Sequence, residues 1–171
     1  MKINIKKQSG IYTLTSEQIL SISLEKAWEF FTVPTNLDKI TPKEMDFKIT
    51  NNPPEKTYLG QIITYKIGIL PFLKSNWITE ITHFESPLKN ETRKGFFVDE
   101  QRFGPYAMWH HEHHFEETTN GNVKMTDIVN FKLPFGVFGD LLAGFYVKNK
   151  VQFIFESRFK ILENLFKQFK Q

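Results

Sequence analysis

The fold class predicted for this chain is α+β, with a curved antiparallel sheet of about six to seven strands wrapped around a long C-terminal helix. Three observations predict it. Between residues 60 and 133 the chain passes through successive stretches of β-forming residues, separated by Gly, Pro and Asn turn signals. From about residue 137 to 169 the apolar spacing changes to 3 and 4 and stays there. Strands grouped first and a helix grouped last indicate segregated antiparallel layers, because alternating βαβ units would be needed for a parallel sheet.

The first strand is read at residues 11–22, IYTLTSEQILSI, and two short helices follow it. In the first helix Leu24, Ala27, Trp28 and Phe31 recur at helical spacing, Glu25 stands in the first turn where the dipole favours an anion, and Pro34 stops the run. Thr35-Asn36-Leu37-Asp38 has the form of a capping box with Asp in place of Glu, and the second helix ends before Pro42. Met45 to Thr50 is a short strand closed by the turn Asn51-Asn52-Pro53-Pro54. Residues 60–68 alternate weakly, with Ile63, Tyr65 and Ile67 on one face, until Leu70-Pro71-Phe72 breaks the run. Residues 75–85 place Trp77, Thr79, Ile81 and His83 on one face.

Residues 96–115, FFVDEQRFGPYAMWHHEHHF, read as a hairpin turning at Phe103-Gly104-Pro105-Tyr106. On its second arm Trp109, His111, His113 and Phe115 share one face; Met108, His110, Glu112 and His114 share the other. The first set is bounded by large aromatics and is taken as the inner face. Phe97, Asp99 and Gln101 on the first arm face the same way if odd positions pair with odd. After Asn120-Gly121, residues 123–133 form the clearest strand, with Val123, Met125, Asp127, Val129, Phe131 and Leu133 in one row. A two-residue turn there would pair odd with even and take Asp127 off the His face; the apolar row argues for a longer loop. In the C-terminal helix Phe138, Leu141, Leu142 and Phe145 form one stripe. Val151, Phe155, Arg158, Leu162, Leu165, Phe166 and Phe169 form another, about a third of a turn away. A kink, or two helices, is expected near Gly144 and Lys148-Asn149-Lys150.

Composition narrows the function classes. The 171 residues suit one domain spanning 1–171, with a substantial core. Apolar content of 40% and charged content of 24% are those of a water-soluble globular chain. The 18 phenylalanines point to a large aromatic interior or a lined cavity. A net charge of +3 without a dense basic block gives no argument for nucleic acid. Absence of cysteine excludes disulfides and thiolate ligands. No apolar run spans a bilayer and MKINIKKQSG is followed by no apolar signal core, so no membrane insertion and a cytoplasmic location are expected.

Four segments, AWEFFTVPTNLDKITP (27–42), FFVDEQRFGPYAMWHHEHHF (96–115), MTDIVNFKLPFGVFG (125–139) and IFESR (154–158), resemble the helix-grip fold of the START and birch-pollen-allergen (SRPBCC) superfamily. The closer resemblance is to its bacterial, polyketide-cyclase-related branch. The resemblance implies a fold and a ligand cavity. It implies no reaction, since such folds host many functions and the superfamily has no single catalytic motif to carry over.

The candidate site follows from these faces. Tyr65, Trp77, Phe97, Trp109, Met125 and Phe131 are expected to line the cavity, with Asp99, Gln101, His111, His113, Asp127 and Arg158 as its polar groups. His111, His113 and Asp127 are the catalytic candidates, because a carboxylate orienting an imidazole serves general acid/base chemistry. The same set equally satisfies buried polar groups or orients a ligand. His111, His113 and either aspartate could form a two-His, one-carboxylate metal set, yet no metal and no other cofactor is expected. Arg158 is either a snorkelling side chain or an anion-binding or Asp-pairing group. The leading function is binding of a small hydrophobic or amphipathic molecule. A cyclase, dehydratase or hydrolase is the enzymatic rival, and a protein-interaction module, as some relatives are chaperone cofactors, is the third.

Overall fold

The computed structural model describes residues 2–70 and 73–167; for residues 69, 70 and 73 only the backbone is described. In chain order the elements are β1 (Lys2–Gln8), β2 (Ile11–Leu20), α1 (Leu24–Phe31), α2 (Leu37–Ile40), β3 (Lys48–Ile49), β4 (Ile62–Leu70), β5 (Leu73–Glu85), β6 (Lys94–Phe103), β7 (Met108–Glu117), β8 (Val123–Lys132) and α3 (Gly136–Lys167). The strands form one antiparallel sheet in the order β1-β2-β8-β7-β6-β5-β4-β3. Pro71, Phe72 and Phe169 lie outside the described residues.

The sheet has eight strands where six to seven were expected, and the short helices follow the second strand. The unforeseen strand is β1, KINIKKQ. Its lysines mask a period-2 pattern in which only Ile3 and Ile5 are half-buried. Ser9 (φ 50) and Gly10 (φ 78) both adopt the left-handed region that a two-residue hairpin turn requires, and so bring Gln8 opposite Ile11.

Two local expectations are corrected. Ser23 caps α1, its Oγ accepting from the Lys26 N–H at 3.4 Å, but no capping box starts α2. Thr35 lies in a 3₁₀ turn, Pro34–Asn36, and the Asn36 amide reaches back to donate to the Phe30 carbonyl at 2.8 Å. Secondly, the β5–β6 register shifts between Ile81 and His83. This bulge reverses the parity of the strand end. His83 turns out to solvent, and Phe84 turns in against Trp28, ring centroids 5.3 Å apart.

Helix α3 is a single run of 32 residues, so the change of stripe does not divide it into two helices. Its inner row is Gly144, Val151, Phe155, Arg158, Leu162 and Phe166. Gly144 permits the closest approach: a Cβ there would lie 2.6 Å from the Tyr12 hydroxyl on β2. One helix presents one face to one sheet, so the stripe Phe138, Leu141, Leu142 and Phe145 is left outside and is 76–86% exposed. One buried cluster joins α1 to the sheet through Trp28, Phe31, Phe97 and Phe115; another joins α3 through Tyr12, Phe131, Val151 and Phe155.

The orientation of α3 is tested by two substitutions. Gly144→Leu should lower unfolding stability by about 1–3 kcal/mol through overpacking, whereas Leu141→Ala should change it by no more than about 0.5 kcal/mol; urea unfolding of both variants measures this.

Candidate functional site

Strand β7 is central in the sheet, and its inner residues meet partners on both sides. Asp99 pairs with His111 and Phe97 with His113 across β6–β7; His113 pairs with Asp127 and Phe115 with Met125 across β7–β8. The connection after β7 covers residues 118–122, longer than a two-residue turn, and odd positions therefore meet odd ones throughout. It closes through Thr118 N–H to the Asn122 carbonyl at 2.8 Å, with Gly121 at φ 70.

Two imidazoles and two carboxylates thus converge. His113 Nε2 lies 2.9 Å from Asp99 Oδ2, and His111 Nε2 lies 3.1 Å from Asp127 Oδ1. His111 Nδ1 is 3.4 Å from Asp99 Oδ2. His113 Nδ1 is 3.0 Å from Asp127 Oδ1 but off the line of a hydrogen bond. The two imidazoles overlap at 3.7 Å between centroids, and Phe97 stacks on His113 at 4.3 Å. Thr79 Oγ1 supports the group from β5, 3.2 Å from Asp99 Oδ1 and 3.0 Å from the Glu100 carbonyl.

Burial, at 5% exposure for His111, His113 and Asp127, makes every charge here costly unless it is matched. Desolvation and the neighbouring His113 charge push His111 down to about 4, against the pull of both aspartates. Desolvation also opposes the charge on His113, but bonding to Asp127 and Asp99 outweighs it and raises that group. Burial would raise the two carboxylates as well. Arg158 and the imidazoles hold Asp127, and His113 with His111 holds Asp99, below the usual carboxylate range. Two carboxylates therefore face a neutral His111, a His113 whose charged form they favour, and the Arg158 guanidinium. On the outer face of β7, His110 pairs with Glu100 and His114 with Glu112, each at 2.7 Å.

Above this group lies a cavity of about 530 Å³, within the range of small-molecule sites. Tyr65, Trp77, Phe97, Asp99, Trp109, His111, His113 and Arg158, all expected from sequence, line it. Asp127 sits behind the imidazoles and is not in the wall. Three expected lining residues lie elsewhere. Met125 is packed into the α1 cluster, and Phe131 is stacked on Tyr12 at 5.0 Å. Gln101 is occupied by the hairpin loop, its Nε2 donating to the Tyr106 carbonyl at 2.7 Å. β8 shares its inner parity with β7, but α3 presses on it and fills that space. Sequence reasoning also passed over Thr79 and Tyr106 as site residues. Thr79 shares a face with Trp77 and Ile81, which is a usable signal; Tyr106 stands in a turn, where parity says nothing.

Arg158 is 8% exposed and does not snorkel. Its guanidinium carbon lies 6.0 Å from the Phe31 ring centre and 5.8 Å from that of Phe155, and its buried Nε has no hydrogen-bond partner among the described residues. Among the described residues no carboxylate comes within 4.0 Å of it. Trp77 Nε1, also in the cavity wall, is likewise without a partner in the protein.

Asp99, His111 and His113 each offer a metal-ligating atom, all within 4.8 Å of one another. These atoms already pair among themselves, and a metal would have to displace the contacts that Asp99 makes with both imidazoles.

No family model and no curated protein matches the chain. Solved structures do. A protein from Thermus thermophilus superposes with a TM-score of 0.62 at 15% identity, over 93% of this chain and 99% of that one. Norcoclaurine synthase from Thalictrum flavum, solved as a point mutant with a transition-state analogue, gives 0.63 at 11% identity, over 100% and 99%. Major latex-like protein 151 from Panax ginseng gives 0.60 at 12%, over 92% and 99%. At such identities the likeness is one of fold, and the fold is that of the SRPBCC, birch-pollen-allergen-like proteins.

Two outcomes follow from the geometry. In NMR titrations one buried imidazole should titrate above 6.5 and the other near 4. Asp127→Asn should lower the higher value, while Glu112→Gln, on the opposite face, leaves both in place; the reverse pattern would mean that β7 is inside out. For metal, elemental analysis of protein purified without added metal should find none at stoichiometric level. Zn, Fe or Mn that is present and lost in His111→Ala would contradict this.

Proposed function

We propose that this helix-grip protein binds a small amphipathic molecule, with its apolar body against the aromatic walls of the cavity and an acidic head beside Arg158. The carrying observation is Arg158 itself, a cation buried in the wall of a mainly apolar cavity with no carboxylate of the described residues in ion-pair reach. A buried guanidinium is costly without a partner. Asp127 gives it a long-range counter-charge, but that carboxylate is already engaged by His111. A carboxylate, sulfonate or phosphate on a ligand would supply the charge-assisted bonds that the protein does not. The Trp77 N–H adds a second free donor.

A second reading rests on His111. It is neutral, lines the cavity, and its Nε2 is held by Asp127, so that it could accept a proton from a bound molecule. This supports a cyclase, dehydratase or hydrolase, in which the bound molecule would be a substrate and His111 or His113 the base.

The binding reading is tested with 1-anilinonaphthalene-8-sulfonate, an aromatic body carrying one anionic group. Saturable binding at one site per chain is expected. Arg158→Met should weaken it by roughly tenfold or more, as expected for a lost charge-assisted bond, and Arg158→Lys should weaken it less. Circular dichroism checks that both variants fold. Unchanged affinity in Arg158→Met would remove Arg158 from the site.

A further inference from the structure

We infer that the first turns of α3 form a docking surface for an anionic lipid bilayer. Phe135, Val137, Phe138, Leu141, Leu142 and Phe145 are each 76–86% exposed, on one turn-and-helix segment. Scattered exposed apolar side chains are ordinary; six large ones within eleven residues form a patch of the kind that marks an interaction site. Phe135 and Leu142 also line the cavity, so the patch is the rim of the cavity mouth.

Charge selects the occupant. Lys6 and Lys7 at the end of β1 and Lys132 at the end of β8 lie at one end of the sheet, and Lys148 and Lys150 follow on α3 just after Gly144, which packs on Tyr12 at that end. Strand pairing aligns the β1 and β8 ends, and the Lys7–Asp140 ion pair at 3.0 Å ties them to the helix. Among the described residues only Lys7 of these five is held in an ion pair, with Asp140, so the other four leave their charge to the surface. Two copies meeting through this patch would bring equal positive rims together, because a twofold contact places the same surface on both sides. An anionic bilayer offers apolar depth for the aromatic and leucine side chains and opposite charge for the lysines. No helix of the described residues is long and apolar enough to cross a membrane, so the contact is interfacial. The surface shares Phe135, Leu142 and Lys150 with the cavity mouth, but the docking holds whether or not the cavity binds an acid.

The test uses the full chain, sedimented at low salt with vesicles of phosphatidylcholine alone or mixed with phosphatidylglycerol. Binding to the mixed vesicles, weak binding to the neutral ones and release by salt are expected. Leu141→Ser combined with Phe145→Ser should abolish binding, and Lys148→Gln combined with Lys150→Gln should weaken it on the order of tenfold or more, as loss of two interfacial lysines implies. No binding to mixed vesicles, or binding unchanged in both variants, would overturn the inference. So would a dimer in sedimentation equilibrium that the Leu141/Phe145 variant dissociates, since a second copy would then cover the patch.

Discussion

Burying His111, His113, Asp99 and Asp127 in one layer of sheet is tolerable only because β6, β7 and β8 are held in a register that matches each charge to another. A shift of one residue would send a strand's whole inner set to the opposite face. Here a shift of β7 would carry both imidazoles away and leave Asp99 and Asp127 unpaired beside Phe97 and Val129, where an unpaired charge costs several kcal/mol, of order 3–5. The apolar rows of β7 and β8 and the polar quartet therefore impose the same register independently. The cost of the quartet also explains its company. Thr79 bonds to it from β5, and Arg158 on α3 acts on Asp127 through its charge, so both a strand and the helix contribute to matching the buried carboxylates.

The parity of β7 was legible because side-chain direction alternates along an unbulged strand, and Trp109 and Phe115 mark the inner side. The same rule gave Asp127 its contact with the imidazoles. It failed where the period was interrupted. The bulge near Thr82 reversed His83 and Phe84, and nothing in ITHFE distinguishes a bulged strand from a straight one. It also failed to separate inside from cavity: Met125 and Phe131 do face inward, but only tertiary packing decides whether a residue meets a void or another side chain. β1 was missed because an edge strand bonded on one side needs few apolar residues, and the α3 stripes were legible as stripes but not as one buried and one exposed.

Cavity and helix are not independent features. The row of α3 that packs begins with Gly144 against Tyr12, and from there to Phe166 the helix seals the sheet. Before Gly144 the helix overhangs, and its outer stripe becomes the rim of an opening whose floor is polar. One long helix thus closes one end of the grip and leaves the other accessible. The polar groups at the floor stay out of bulk water while an apolar route leads to them.

An open sheet of eight strands has two free edges, and either could recruit another chain by backbone pairing. β3 is two residues long, too short to template an extended partner. β1 is longer, but it sets Lys2, Lys6 and Lys7 along the exposed border, so that a second copy adding there would meet like charge. The lysines that hid this strand from periodicity are the same ones that discourage fibrous assembly, and the edge is protected by the feature that made it hard to read.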